Sequence, residues 1–250
     1  MASRFNLYMT EINEQTAWVE VEMRFSDKAA NTNYPEVYNV NIAIREADRD
    51  GLPKVNELVI LEAYEYTIIN ALEQDGHSLC AGRVTMGGVR QLFFYTNPLS
   101  VDPGKKIADM WGDTPAFETR ITGRESDPDW AYYFDFLLPS NEERMQMLSR
   151  QRIEQLKTEG DTLLSPRPIV HTVTFHTSKQ SEAFRDSMTK LRFSIEDHYV
   201  DEKTGDYVVE ICRDDRPDYD TIGDVTASLT ELAQSFEGTY RGWQTIAIFA

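Results

Sequence analysis

The chain has 250 residues, of which 41% are apolar and 11% are aromatic, enough to build one large domain or two of ordinary size. Its 42 acidic and 25 basic residues give a formal net charge of −17, which repels nucleic-acid phosphates and anionic membrane surfaces at long range. Composition therefore argues against disorder and against direct binding of nucleic acid or membrane, while a basic protein partner is compatible with it.

Cysteine usage and the N-terminal sequence favour a soluble, cytoplasmic protein. Only Cys80 and Cys212 occur, without a CxxC pair, as is typical of a reducing compartment. The opening MASRFNLYMTEINEQ lacks the apolar core of a signal peptide, and no stretch approaches the roughly 18 apolar residues of a membrane-spanning helix.

The first half of the chain predicts one βαββαβ unit preceded by an extra strand. Alternating and β-branched stretches indicate strands, helical spacing indicates helices, and Gly87 and Gly88 join two of the strands as a hairpin. In chain order the predicted elements are the extra strand 17–25, strand 37–44, helix 56–72, strands 77–86 and 89–96, helix 105–111 and strand 116–123.

Two helices are predicted in the middle of the chain. The first runs from Pro128 to Leu137 with Asp127 as its cap, and Trp130, Tyr133, Phe134 and Leu137 form its apolar face. The second begins after Pro139, where Ser140 and Glu143 have the spacing of a capping box, and continues to about Lys157. We predict domains at 1–140 and 141–250, with charges of −10 and −7.

The second half predicts another βαββαβ unit. In IVHTVTFHT, the side chains of Ile169, His171, Val173 and Phe175 share one face of a strand. A helix capped by Ser178 follows, with a stripe of Ala183, Phe184, Met188 and Leu191. The remaining predicted elements are the hairpin 193–200 and 207–213, a helix with a stripe from Ile222 to Phe236 capped at its N-terminus by Asp218 or Asp220, a left-handed C-cap at Gly238, and strand 243–249.

These elements predict an α+β protein with two ferredoxin-like (βαββαβ) α/β-sandwich domains, each with an antiparallel sheet, joined by a helical segment. The order of elements favours this fold, but it carries no information about activity.

The sequence contains no recognisable catalytic or cofactor-binding motif. Phosphate-binding glycine loops, a nucleophile elbow and zinc-binding patterns are all missing. His171 and His176 are five residues apart on a strand, so they lie on opposite faces and do not share a metal ion. The acidic run 214–220 lacks the glycine and the distal glutamate of a calcium loop. We therefore predict no catalytic residue, no metal site, no cofactor and no enzymatic activity.

Two motifs in the C-terminal half resemble the bacterial family called regulator of ribonuclease activity B. They are SPRPIVHTVTF at 165–175 and EGTYRGWQT at 237–245. The matching positions are Arg167, His171, Phe175, Gly238, Tyr240, Gly242 and Trp243, while Arg241 and Gln244 replace two acidic residues of the family motif. The resemblance covers about residues 150–248. It implies a ferredoxin-like fold and a non-enzymatic acidic protein that binds ribonuclease E and lowers its activity.

The N-terminal half is similar to a second bacterial family, whose function is uncharacterised and whose domain is often fused to the first. The similar segments are DGLP at 50–53, GRVTMGGVRQLFFYT at 82–96 and DPDWAYYFDFLLP at 127–139. This resemblance implies no activity for residues 39–139.

The leading hypothesis is a regulatory binding protein whose C-terminal domain contacts a basic partner, ribonuclease E or another RNA-processing protein. We predict that Arg167, His171, Tyr240, Arg241 and Trp243 bind the partner. One alternative is a hydrolase or small-molecule-binding protein with a site between the domains, built from carboxylates and His171. A further alternative is a scaffold that self-associates through a sheet edge or through the aromatic helix at 128–137.

Overall fold

A computed structural model describes residues 4–26, 33–99, 102–111 and 115–249. The chain folds into two compact units, Met1–Pro139 and Ser140–Ala250. None of the described helices is long and apolar enough to cross a membrane.

The N-terminal unit contains a six-stranded antiparallel sheet in the order β1-β2-β4-β5-β3-β6. From β3 onward this is the predicted ferredoxin-like order. Its elements are β1 (Asn6–Ile12), β2 (Gln15–Val21), β3 (Glu36–Ala43), α1 (Val55–Glu73), β4 (Ser78–Met86), β5 (Val89–Thr96), α2 (Pro103–Trp111) and β6 (Thr119–Ser126).

The extra strand and the last strand of this unit differ from the prediction. The extra strand is the second strand of a hairpin, because β1 precedes it, and residues 23–26 form a 3-10 turn in place of its last residues. The strand predicted from residue 116 begins at Thr119. The sequence NLYMTEI of β1 mixes polar and apolar residues at an edge position, so its periodicity alone is weak.

The aromatic segment after β6 begins its helix four residues later than predicted. Trp130 has a positive φ of 58°, and a six-residue π-helix spans Tyr132–Leu137. Asp127 caps the turn by accepting hydrogen bonds from the backbone N–H of Ala131 at 2.7 Å and of Tyr132 at 3.1 Å. Pro128 therefore lies before the helix and does not occupy its first position.

The same segment packs into the N-terminal unit. Trp130 stacks on Tyr95 with 3.8 Å between ring centroids, and the Tyr95 hydroxyl donates to Asp127 at 2.6 Å. Trp130, Tyr133 and Leu137 are buried. These three side chains therefore belong to the core, whereas Tyr132 and Phe136 of the same segment are exposed.

The C-terminal unit contains a four-stranded antiparallel sheet in the order β10-β7-β9-β8, which confirms the predicted ferredoxin-like fold. Helices α4 and α5 pack on one face of this sheet, and α3 lies beside β10 and α5. The elements are α3 (Asn141–Thr158), β7 (Arg167–Phe175), α4 (Ser178–Met188), β8 (Ser194–Val200), β9 (Tyr207–Asp215), α5 (Tyr219–Ser235) and β10 (Thr239–Gln244).

Helix caps in this unit are partly as predicted. Ser140 and Glu143 form the capping box of α3, and Asp218 caps α5. The N-cap of α4 is Thr177, not Ser178. The buried stripe of α4 is Ser181, Phe184 and Met188, whereas Ala183 and Leu191 are exposed. Ser181 thus lies in the buried stripe where Ala183 was predicted.

The connection from α5 to β10 corrects two predictions. Glu237, with φ of 58°, takes the left-handed conformation that we predicted for Gly238. Gly238 is required for a different reason: a Cβ atom there would lie 2.2 Å from Cε1 of Phe175. The last strand is Thr239–Gln244 and not 243–249, and after it only Phe249 pairs again, in an isolated bridge with Asp161.

We expect Gly238→Ala to lower the free energy of unfolding by roughly 1–3 kcal/mol, because the added methyl group displaces Phe175 in a filled core. Urea denaturation of the full chain measures this effect. Gly223→Ala is the matched control: no atom lies within 4 Å of its Cβ position in α5, and helix propensity predicts a gain of about 0.5–1 kcal/mol. Similar effects of the two substitutions would contradict the steric role of Gly238.

Candidate functional site

Arg167, one of the five predicted partner-binding residues, is buried at the start of β7. Its guanidinium forms an ion pair with Asp161 and donates to the backbone oxygen of Ile246 at 3.0 Å. Asp161 also accepts from the backbone N–H of Leu163 and of Ile248. The hydrogen bonds from Arg167 hold the pKa of Asp161 well below its usual range. This cluster joins the segment before β7 to the segment after β10, so Arg167 supports the fold, and its contact with a partner stays a prediction.

His171 and Tyr240 are also interior residues. They face each other from β7 and β10, with 2.8 Å between His171 Nδ1 and the Tyr240 hydroxyl, and both are buried. His171 packs edge-to-face on Phe193. Burial lowers the pKa of His171 from 6.5 to about 4, so the imidazole is neutral at physiological pH. Both side chains are almost entirely buried and therefore offer no exposed surface for direct contact with a partner or a substrate, so their role in partner binding stays a prediction.

Trp243 joins β10 to α3. Its indole N–H donates to the Ser149 hydroxyl at 2.9 Å, and its ring packs against the cluster that contains Ile153, Ile169 and Ile222. The side chain is half-buried. One part of the ring therefore belongs to the core, and the other lines a groove.

Arg241 is exposed and lies at a bulge in β10. The pairing of β10 with β7 shifts between Tyr240 and Gly242, so Arg241 is the extra residue of a β-bulge. Its Nε donates to the Thr174 hydroxyl at 2.9 Å. Arg241 and Trp243 both line a groove of about 290 Å³ between β10 and α3. Of the five predicted residues, the structure brings these two together at the surface.

The face of the C-terminal sheet opposite α4 and α5 carries several acidic side chains. Across β10, β7, β9 and β8 one row of paired residues reads Gly242, Thr172, Glu210 and Asp197. Glu210 and Asp197 are directly opposite each other, and like charges in this position destabilise a sheet. Within the described part of the chain neither carboxylate forms an ion pair. The pair is therefore free to meet a cationic group.

The acidic character continues along the same face, which we call the open sheet face. Glu196 and Asp214 are exposed and border a depression of about 830 Å³, with Val170 and Cys212 in its lining and Arg192 at the same depression. Alternation along β9 places Glu210 and Asp214 on one side, a signal that the sequence contains. The bulge between Ile195 and Asp197 in β8 hides the corresponding signal in that strand.

A different kind of charge cluster lies in the N-terminal unit, beneath α1. Glu65 and Arg90 are both buried, and Arg90 Nη1 donates to Glu65 Oε2 at 2.9 Å. Arg83 forms ion pairs with both Glu65 and Glu20. Burial lowers the pKa of Arg90 to about 10, so the guanidinium remains charged at neutral pH. Two carboxylates and two guanidinium groups balance one another, and the cluster is structural.

Metal ligands are not gathered anywhere in the described ranges: no three His, Cys, Asp or Glu side chains there could hold an ion. Both cysteines are buried free thiols, and burial raises the pKa of each.

Comparison with protein families matches both halves of the chain. Residues 3–138 match the model described as Family of unknown function (DUF695), which is more than half of the sequence. The chain belongs to this family. Residues 146–245 match a second model, Regulator of ribonuclease activity B. Both resemblances noted in the sequence are thus confirmed, and the DUF695 part corresponds to the unit with the six-stranded sheet.

Searches of individual proteins add little for this DUF695 member. No curated protein matches it. A solved structure of an unknown protein from Galdieria sulphuraria shares 12% identity, covering 84% of this chain and 98% of that chain, with a TM-score of 0.22. At that score the likeness supports no conclusion about fold or function.

The buried state of His171 has a measurable consequence for stability. Because its folded-state pKa of about 4 is below the unfolded value of 6.5, the unfolded chain binds more protons between these pH values. The contribution of the neutral His171 to the free energy of unfolding is fully present above pH 6.5. It falls as the pH drops toward 4, by roughly 3 kcal/mol in total.

We expect His171→Asn to flatten the pH dependence of the unfolding free energy in this window, because an amide can replace Nδ1 at Tyr240 without titrating. Urea denaturation at a series of pH values tests this. His176→Asn is the control, since His176 is exposed and bonded to Asp206, and it should retain the slope. An unchanged slope in His171→Asn would contradict a neutral buried imidazole.

Proposed function

We propose that this protein is a non-enzymatic regulator that binds a ribonuclease or another RNA-processing protein through its C-terminal unit. The match of residues 146–245 to Regulator of ribonuclease activity B carries the proposal. Ribonuclease E, the partner implied by the sequence resemblance, is the first candidate to test.

The binding surface in this proposal is the open sheet face. Residues 141–250 contain 20 acidic and 13 basic side chains, and Asp197 and Glu210, which form no ion pair within the described ranges, lie opposite each other on the edge strand β8 and on β9. A basic surface that normally contacts RNA phosphates offers the complementary charge. Binding of this face to such a surface would compete with RNA, which explains regulation without a catalytic group.

The physical chemistry of the surface also indicates how association proceeds. Opposite charges steer the encounter, so the association rate should fall as salt screens them over a Debye length of about 8 Å at physiological ionic strength. We place the protein in the cytoplasm, since its two cysteines are free thiols and its proposed partners process RNA.

We expect the double variant Asp197→Lys with Glu210→Lys to bind ribonuclease E about tenfold or more weakly, because two favourable contacts become repulsive. The measurements are the dissociation constant of the full chain by calorimetry and the rate of RNA cleavage with the protein in excess. Wild-type protein should slow cleavage, and the variant should not.

The matched control is Asp186→Lys with Glu231→Lys. Both residues are exposed on α4 and α5, and the substitutions change the net charge by the same amount. Control protein should bind nearly as wild type does. If the two double variants weaken binding equally, net charge and not the open sheet face causes the effect. Unchanged cleavage with excess wild-type protein would exclude ribonuclease E as the partner.

A further inference from the structure

The groove between α3 and β10 differs in charge from the rest of the open sheet face. Met145, Leu148 and Trp243 supply its apolar lining, and Arg152 and Arg241 supply its charged lining. No carboxylate lines it, although the chain has 42 acidic residues. A cationic and apolar groove in such an acidic protein favours a ligand that carries both an anionic group and an apolar one.

Neutral acceptors hold the two arginines in place. Arg152 Nη2 donates to the backbone oxygen of Thr245 at 2.8 Å, and Arg241 Nε donates to the Thr174 hydroxyl at 2.9 Å. In the described ranges neither guanidinium has a carboxylate within 4.0 Å. The hydrogen bond from His176 is the main cause that lowers the pKa of Asp206, and the charge of Arg241 makes a smaller contribution. Both guanidinium groups keep donors available for a further acceptor.

The backbone of β10 keeps the groove open beside these arginines. Gly242 has φ of 128°, a conformation that strains any residue with a side chain, and no atom lies within 4 Å of its Cβ position. The bulge at Arg241 shifts the alternation of the strand by one residue, so that Gly242 pairs with Thr172 and Trp243 pairs with His171. Arg241 is exposed at the rim of the groove, next to the half-buried Trp243.

Positive and negative groups therefore lie at opposite sides of one surface. The row from Gly242 through Thr172 and Glu210 to Asp197 crosses four neighbouring strands. At about 4.8 Å per strand, the arginine groove and the acidic pair are roughly 10–15 Å apart, the length of three to five extended residues.

We infer that the partner segment bound by this protein is an extended peptide of mixed charge that lies across the strands. An acidic side chain beside an apolar one enters the arginine groove, and basic residues a few positions away bind Asp197 and Glu210. This inference rests on the proposed function and adds the sequence character of the segment. A peptide is favoured over RNA because the negative charge of the unit repels a chain of phosphates.

The test uses the full chain and two short fluorescein-labelled peptides. The mixed peptide has Glu-Leu-Glu at one end and Lys-Arg-Lys at the other, joined by a neutral spacer. The basic-only peptide replaces both glutamates by glutamine. Fluorescence anisotropy should give an affinity about tenfold higher for the mixed peptide, as two charge-assisted hydrogen bonds allow.

A double variant identifies the arginines as the source of that gain. Arg152→Gln with Arg241→Gln should bind the mixed peptide no better than the basic-only peptide. Lys179→Gln with Lys190→Gln is the control, because both lysines are exposed in or just after α4 and the charge lost is the same. This control should keep the preference for the mixed peptide.

Each remaining outcome decides the matter. Equal affinity of wild-type protein for the two peptides overturns the inference and leaves the proposed function standing, provided that the basic-only peptide binds. Binding of the mixed peptide alone supports the groove and counts against the acidic pair, and hence against the proposed function. Failure of both peptides overturns the inference. A short RNA that displaces the mixed peptide by binding the arginines would show that the groove accepts a phosphate in place of a carboxylate. That result would overturn the inference as well.

Discussion

One-sided coverage of the C-terminal sheet is the constraint on which the site depends. In a βαββαβ unit both crossover helices pack on the same face, so every strand buries one row of side chains and leaves the other row outside. On β7 the buried row includes His171 and Phe175, covered by α4 and α5, while Thr172 lies on the open sheet face. On the strands, the side chains that a partner can reach are therefore those of the outer row and of the rim.

The position of β10 against β7 connects this constraint to the surface chemistry. Gly238 lets the strand approach Phe175, and the Tyr240 hydroxyl meets His171 inside the sheet. These contacts fix the strand on one side of the bulge, and Trp243, held by Ser149, fixes it on the other. Arg241 lies between these fixed points, so buried residues determine the position of an exposed arginine.

Features of the fold that depend on a local pattern could be predicted from the sequence. The alternation of β7, the capping box at Ser140 and the element order of both units are recorded in short stretches of sequence. Prediction failed where the cause is a distant residue. The sequence around Gly238 does not indicate that Phe175 packs against it, and the sequence around Arg167 does not indicate that Asp161 is its buried partner. The five residues were predicted to bind a partner because they belong to, or lie within, the family motifs, which do not distinguish buried residues from exposed ones. Of the five, Arg241 and Trp243 lie together at the surface.

Charged side chains are arranged differently in the two units: those in the core of the N-terminal unit are paired, and those on the open sheet face are available for interaction. In the DUF695 unit, Glu65 is buried and matched by Arg83 and Arg90, so removing one partner would leave an uncompensated charge in the core. On the open sheet face, Asp197 and Glu210 oppose each other, and within the described ranges neither forms an ion pair. A satisfied cluster stabilises its own fold, whereas a pair of like charges at the surface gains stability when a basic partner covers it.

Carboxyl footprinting of the full chain, with and without ribonuclease E, tests the central claim most directly. Carbodiimide labelling read by mass spectrometry reports the accessibility of each acidic side chain. The account predicts that complex formation protects Glu196, Asp197, Glu210 and Asp214, while Asp186 on α4 and Glu231 on α5 remain as reactive as before. Protection of Asp186 and Glu231 with the open sheet face unchanged would contradict it.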